Sequence, residues 1–298
     1  MYPEPIQKSP FIARGSYRII LYVAMVIWIL PLAGVFLTSF RSLADINSGN
    51  YWGWPTEFAL VENYTQVFTV TPMIQYFFNS LVITIPTVIG TLLLSSLAGY
   101  SLAKHRFRGN FLIFALFIAG NFVPAQILMI PVRNLTLNLG VYDTKLALIL
   151  FHTAFQIGFC TFFLRGFIKE LPHELVESAR IEGASEFIVY WKIILPLIMP
   201  ALAALAVLEF TFIWNDYFWA LVLVQGDEAR PVTLGIQALR GRWTASWHLI
   251  SAGSIVAALP PVVLFFILQK HFITGLTMGA IKAVSYTHLR AHETDSYL

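Results

Sequence analysis

Residues 174–185 have the sequence Glu-Leu-Val-Glu-Ser-Ala-Arg-Ile-Glu-Gly-Ala-Ser, and residues 190–196 have the sequence Tyr-Trp-Lys-Ile-Ile-Leu-Pro. This charged stretch separates two long apolar segments. Leu175, Val176 and Ala179 recur at helical spacing on one side. Gly183 tolerates the positive φ of a sharp bend, and Ser185 can cap a second helix. A short, exposed and bent helix pair indicates a surface for a partner outside the membrane, whereas the plainer interpretation is an interfacial loop.

The composition around this stretch is that of a membrane protein. Hydrophobic residues make up 57% of the 298-residue chain and charged residues only 12%, which is far from the composition of a soluble domain. An apolar segment of about 20 residues is long enough to cross a bilayer as a helix. Six such segments are predicted, at residues 19–40, 76–103, 111–131, 146–164, 197–224 and 249–272. The predicted fold class is therefore an all-α integral membrane protein with six transmembrane helices.

The distribution of Lys and Arg predicts the orientation. If the six segments alternate across the membrane, 13 of the 19 Lys and Arg residues lie on one side, and the other side has only Arg41, Arg133, Lys145, Arg230, Arg240 and Arg242. The positive-inside rule then places both termini and the charged stretch in the cytoplasm. The net charge of +3 reflects this asymmetry, so no nucleic-acid partner is needed to explain it.

The sequence contains no motif that predicts catalysis. There is no Gly-x-x-x-x-Gly-Lys-Ser/Thr phosphate loop, so the chain is not expected to hydrolyse ATP or to be an enzyme. The seven histidines have no metal-ligand spacing, and Cys160 is the single cysteine, so no metal site is expected.

Polar side chains inside the apolar segments are the second set of candidates, because each is costly in hydrocarbon unless it faces the bundle or a cavity. The fifth segment contains Glu209, Asn215, Asp216 and Trp219, and such amide, carboxylate and aromatic groups together suit a sugar. On one continuous helix Asn215 and Trp219 would share a face, while Trp214 would pack against a neighbouring helix. The alternative is that these groups only hold helices together, at about 1 kcal/mol per contact.

Several runs resemble the permease subunits of binding-protein-dependent ABC importers. The run from Glu177 to Ala184, with Ile-Leu-Pro at residues 194–196, is similar to the Glu-Ala-Ala-x-x-Asp-Gly loop of that family. Ser178 replaces Ala and Glu182 replaces Asp, and both changes are conservative in size or charge. The run Phe-Ile-Trp-Asn-Asp-Tyr at residues 212–217 resembles the carbohydrate permeases of the maltose type. The resemblance covers nearly all of residues 19–282.

The resemblance implies a type I ABC importer permease fold, with the transmembrane domain at residues 19–282 and a coupling loop at about 166–196. It implies a permease subunit of an ATP-driven sugar importer that forms half of the translocation pathway. The implied partners are a second permease subunit, a pair of ATP-binding subunits and an extracytoplasmic solute-binding protein. ATP would be used by the partner ATPase, so this chain would bind no cofactor. The implied coupling residues are Glu177, Ser178, Ala179, Glu182, Gly183 and Ala184.

Two further expectations concern function and the ends of the chain. The alternative function is an ion-coupled secondary transporter, but it would need coupling-ion carboxylates in broken helices, and only Glu209 and Asp216 are candidates. Residues 1–18 are expected to be a cytoplasmic segment of a protein of the bacterial inner membrane. Residues 283–298 turn abruptly polar after the family pattern ends, so they are expected to be a cytoplasmic tail or a tail foreign to the gene.

Overall fold

The computed structural model describes residues 11–50, 53–240 and 246–269 of this chain, and nearly all of the regular structure in those ranges is helical. The expected tail at residues 283–298 lies outside the described residues. In chain order the helices are α1 (Phe11–Thr38), α2 (Leu43–Asn47), α3 (Leu60–Val70), α4 (Met73–Lys104), α5 (Asn110–Asn121), α6 (Met129–Asn138), α7 (Lys145–Lys169), α8 (Glu174–Ile181), α9 (Glu186–Val189), α10 (Leu195–Trp214), α11 (Phe218–Leu223), α12 (Val232–Ala238) and α13 (Trp247–Gln269).

Five helices in the described part of the chain are long and apolar enough to cross a membrane. They are α1 from Ile12, α4, α7, the continuous helix Glu186–Trp214, and α13. A sixth crossing is present if α5 and the helical segment Ala125–Asn138 together count as one span. The prediction of six apolar crossings is confirmed in this form.

The third predicted span is bent, and this bend was not predicted from the sequence. Its two halves meet at an angle of 92° across the break after Asn121. Pro124 lies in this break, where it lacks an N–H donor and disfavours helical geometry at Val123. Pro131 causes no second break because it lies in the first turn of α6, where a missing N–H is tolerated.

The described residues within Met1–Met73 and Ile236–Ala257 form one compact unit. In this unit the residues after α1 fold back on themselves, because Nδ2 of Asn63 donates hydrogen bonds to the carbonyl oxygens of Ser39 and Arg41, both at 2.9 Å. The carboxylate of Asp45 accepts hydrogen bonds from the backbone N–H and the hydroxyl of Thr56. The hydroxyl hydrogen bond is the main cause that lowers the pKa of Asp45.

The described residues within Ile74–Gly235 and Ala258–Leu298 form the second unit, which contains both candidate sites. A buried apolar cluster in this unit connects α7, α8 and the helix that begins at Glu186. Its members include Leu164, Ile168, Val176, Ile194 and Ile198, all with no exposed surface. The charged stretch is therefore packed onto the apolar helices of its own chain.

The helix of the fifth span begins and ends earlier than the predicted residues 197–224. It begins at Glu186 and continues without a break to Trp214, although Pro196 and Pro200 lie inside it. A π-helical turn at Tyr190–Ile194 directly precedes Pro196. Pro196 has no N–H group that could donate to the carbonyl of residue 192. The π-helical hydrogen-bond pattern of the preceding turn accommodates this missing donor.

Candidate functional site

The polar island, residues 166–196, bends at Gly183. Helix α8 ends through a Schellman motif, in which the N–H of Ala184 donates to the carbonyl of Ala179 at 2.9 Å and the N–H of Gly183 donates to that of Arg180 at 3.0 Å. Gly183 has φ +83°, a left-handed conformation that favours glycine. The hydroxyl of Ser185 then accepts a hydrogen bond from the N–H of Ile188 and caps α9. The expected helix, glycine turn and second helix are all present.

One face of α8 is buried in the chain's own apolar cluster. Val176 has no exposed surface and Ala179 is 7% exposed. Leu175, which the helical spacing grouped with them, is instead 40% exposed. The three residues lie on one side of the helix, but Leu175 is about 100° from Val176 and therefore lies at the edge of the buried face.

The opposite side of α8 and the turn that follows this helix are exposed. Glu177, Ser178, Glu182 and Gly183 are exposed, and Ile181 is 87% exposed. Among the residues implied for coupling, Ala179 packs inward and Ala184 is half-buried, so these two support the bend and offer little surface. The arrangement presents carboxylates and the apolar side chain of Ile181 on an exposed ridge, formed by Glu177, Ser178, Ile181, Glu182 and Gly183, that the chain itself holds in shape.

Three side chains converge on the carboxylate of Glu186, and together with it they form what we call the Glu186 cluster. Oε1 of Glu186 accepts a hydrogen bond from Nε of Arg180 at 2.7 Å. Oε2 accepts one from the hydroxyl of Tyr100 at 2.7 Å and lies 3.0 Å from Nε2 of His105. The hydrogen bond to Glu186 is the main cause that raises the pKa of Arg180. Arg180 therefore carries its positive charge throughout the physiological range.

The Glu186 cluster was not predicted from the sequence. Tyr100 lies near the end of α4 and His105 directly follows that helix, about 80 residues before Glu186. Only Arg180 and Glu186 are close to each other in the sequence, where they lie on either side of the glycine bend and carry opposite charges. The contacts of Tyr100 and His105 depend on tertiary packing, which no sequence spacing reports.

The candidate pathway residues do not lie on one continuous helix, so the expectation of a shared face for Asn215 and Trp219 was wrong. Helix α10 ends at Trp214, and α11 starts only at Phe218. The carboxylate of Asp216 accepts hydrogen bonds from the N–H groups of Trp219 and Ala220, which caps the first turn of α11. An Asp placed just before a helix competes with continuation of the preceding one.

These residues differ in exposure. Asn215 is exposed and donates to the carbonyl of Thr211 in its own helix at 2.9 Å. Trp219 is 5% exposed, and its ring centroid lies 3.8 Å from that of Phe151. Glu209 has no exposed surface and accepts a hydrogen bond from the thiol of Cys160 at 3.2 Å. Of the four candidates, Asn215 is exposed and Asp216 partly exposed, so these two can meet a solute at the surface of this chain.

Trp214 packs within the second unit as a buried side chain. It is 1% exposed, its ring is edge-on to Phe77 of α4 and it stacks on Phe210 of its own helix, both with centroids 5.5 Å apart. A Trp with this environment contributes to packing between α4 and α10.

Apolar membrane-crossing helices with a bent polar island on one side define the membrane subunit of a transporter. A family model described as the binding-protein-dependent transport system inner membrane component matches residues 91–278. The chain belongs to this family of ABC importer permeases.

Several curated relatives align over most of the chain. The osmoprotective compounds uptake permease protein GgtD of Synechocystis is 34% identical, over 93% of this chain and 95% of its own length. The arabinooligosaccharides transport system permease protein AraQ of Halalkalibacterium halodurans is 33% identical, over 85% and 91%. The melibiose/raffinose/stachyose import permease protein MelC of Bacillus subtilis is 31% identical, over 90% and 97%.

The fold is also that of a solved importer. A chain of a bacterial ABC transporter involved in the import of the acidic polysaccharide alginate superposes with a TM-score of 0.78 at 21% identity, covering 91% of this chain and 99% of that one. The type I importer permease fold is therefore confirmed. Family membership also decides against the secondary transporter, because the family's transport depends on a binding protein.

Proposed function

We propose that this chain is a permease subunit of an ATP-driven carbohydrate importer. It forms half of the translocation pathway beside a second permease subunit and couples that pathway to a separate pair of ATPase subunits. An extracytoplasmic solute-binding protein delivers the sugar. The chain itself contributes no catalytic group and binds no cofactor, because ATP is bound and hydrolysed by the partner ATPase.

The proposal rests mainly on the two faces of α8, one of which is buried while the other is exposed. Its inner face, with Val176 and Ala179, is packed against the chain's own apolar helices, while Glu177, Ser178 and Glu182 are exposed. A force applied to the exposed ridge is therefore passed to the apolar helices through packed side chains. This is the arrangement that a permease needs if a partner drives its two conformational states.

The chemistry of the exposed ridge favours a basic cleft on the ATPase. Glu177 and Glu182 are exposed carboxylates, and Ile181 is an exposed apolar side chain between them in sequence. Carboxylates at the periphery with an apolar anchor near the centre are typical of a protein interface. We propose Glu177 as the main polar contact, with Gly183 allowing close approach at the bend.

The assignment of a carbohydrate rests on the relatives and on the residues after α10. Relatives aligned over most of the chain are named for oligosaccharide transport. In this chain Asn215 and Asp216 lie at the break between α10 and α11, where irregular backbone inside a membrane protein must face protein or a cavity. We propose that Asn215 and Asp216 line the pathway, while Glu209 and Trp219 support it from within the chain.

The orientation belongs to the same proposal. The Lys and Arg asymmetry favours both termini and the polar island on the cytoplasmic side. The ridge then faces the compartment that contains ATP, and the loop between α11 and α13 faces the binding protein.

Transport by the assembled complex tests the proposal. The chain would be reconstituted in vesicles with the permease, ATPase and binding protein encoded by its neighbouring genes, and uptake of labelled oligosaccharides would be measured. We expect uptake that requires both ATP and the binding protein and that persists when sodium and proton gradients are collapsed. Uptake that follows an ion gradient without ATP would contradict the proposal.

A further inference from the structure

The Glu186 cluster joins three separate segments of the second unit. Arg180 is in α8, Glu186 is the first residue of α9, and Tyr100 and His105 lie at the carboxyl-terminal end of α4. All three donors meet one carboxylate at 2.7–3.0 Å. From this geometry we infer that Glu186 is a positioning residue that ties the polar island to α4, so that movement of the island carries the end of α4 with it. This inference rests on the proposed function.

Two other contacts tie the same helix to the same region. Nζ of Lys104 donates to the carbonyl of Leu171 at 2.5 Å, just before α8. The hydroxyls of Ser96 and Tyr190 lie 2.7 Å apart, both almost fully buried. The last three turns of α4 are therefore connected to the polar island at its start and its end.

The contacts of Glu186 are better suited to transmitting movement between the polar island and α4 than to stabilising the fold. The side chains of Arg180 and Glu186 are 39% and 48% exposed, and ion pairs this accessible to water contribute little to folding stability. Hydrogen bonds from three directions still restrict where the carboxylate can move. Removing Glu186 should therefore leave the fold and the exposed ridge intact while loosening the connection to α4.

The test compares transport with ATP hydrolysis in the fully assembled complex. In Glu186→Ala we expect the ATPase to co-purify as with the unmutated chain and to keep hydrolysing ATP. Sugar imported per ATP hydrolysed should fall by at least about fivefold, in the range of ordinary coupling free energies. The matched control is Glu174→Gln, which removes a charge from the exposed side of the same island and should leave this ratio unchanged.

A reversible cross-link between positions 105 and 186 provides a measurement that would not respond if Glu186 had only a structural role. In the variant with His105→Cys and Glu186→Cys, a short bifunctional methanethiosulfonate should restore the amount of sugar imported per ATP hydrolysed. A reducing agent that cleaves the cross-link should lower this ratio again. Cys160 is fully buried, so it should not compete for the reagent.

Each outcome has a distinct meaning. An unchanged ratio in Glu186→Ala, or no recovery on cross-linking, would overturn the transmission role of Glu186. Loss of ATPase binding in Glu186→Ala would also overturn it, because the residue would then act on docking. Failure of the unmutated chain to bind any ATPase would overturn the proposed function itself, and with it this inference.

Discussion

The Nε2 atom of His152 in α7 lies 3.4 Å from the Oδ2 atom of Asp216, whose carboxylate also caps α11. A side chain of the fourth span thus meets the carboxylate at which the helix of the fifth span is interrupted. Asp216 has two structural roles here, as a helix cap and as the partner of a buried histidine. The two roles can be separated by mutation.

Asp216→Ala is expected to destabilise the protein by about 0.5–2 kcal/mol, because it removes the acceptor for the N–H groups of Trp219 and Ala220. Asp216→Asn keeps a capping oxygen but removes the charge next to His152, so it should have a smaller effect. Thermal unfolding of the purified protein in detergent measures both. Equal losses in the two variants would show that the charge, and not the cap, is what stabilises this break.

Gly183 is expected to resist substitution because of its backbone conformation and not because of crowding within the chain. A Cβ there would meet no atom within 4 Å, but φ is +83°. Gly183→Val should therefore cost about 1–2 kcal/mol, and Gly183→Asn less, because Asn adopts the left-handed region more readily. The control is Gly166→Ala, where space is also open and φ is not in the left-handed region. Equal thermal stabilities for Gly183→Val and Gly183→Asn would contradict this explanation.

Gly158 allows α5 and α7 to approach closely. A Cβ at this position would lie 2.6 Å from the carbonyl oxygen of Phe117 and 2.8 Å from Nδ2 of Asn121. Gly158→Ala should destabilise by about 1–3 kcal/mol, as overpacking does. Gly90→Ala is the matched control, since its nearest neighbour atoms are 3.7 Å away. If both variants unfold at the same temperature as the unmutated protein, the close contact between α5 and α7 is not a constraint.

Orientation can be tested by labelling single cysteines with a reagent that does not cross membranes. Arg108→Cys and Glu228→Cys are both at exposed positions, whereas the native Cys160 is fully buried. In intact cells we expect labelling at position 228 only, with position 108 labelled after permeabilisation. Labelling of both positions from outside would contradict the assignment of the polar island to the cytoplasm.

The sequence predicted those features that local chemistry controls. Hydrophobic runs of bilayer length predicted the spans, and the order of Gly183 and Ser185 predicted the bent helix pair, because each residue acts on its own backbone. The third span was predicted as a single segment, although it is bent by 92° at the break that contains Pro124. Proline often stays inside membrane helices, as Pro86 does in α4, so its presence alone does not predict a break.

The candidate site was predicted only in part, because its geometry depends on contacts between distant segments. The fifth span appeared to be one apolar run, but Asp216 caps a new helix and turns Trp219 into the interior against Phe151. Glu186 was not among the residues that the sequence singled out. Its role depends on Tyr100 and His105, which the fold brings to it from the end of α4.

The central claim is that the exposed ridge of α8 is the surface through which a separate ATPase drives transport, and Glu177 tests it most directly. Glu177→Lys reverses an exposed charge on this ridge, and breaking a charge pair that is buried in an interface costs up to about 3–5 kcal/mol. Glu228→Lys makes the same change in an exposed residue of the loop after α11 and serves as the control.

The measurement is the amount of ATPase that co-purifies with the membrane subunits, together with ATP-dependent sugar uptake. For Glu177→Lys we expect both to fall sharply while the chain still reaches the membrane, and for Glu228→Lys we expect ATPase binding to be unchanged. Normal ATPase binding and normal uptake in Glu177→Lys would contradict the claim that this ridge couples the permease to its ATPase.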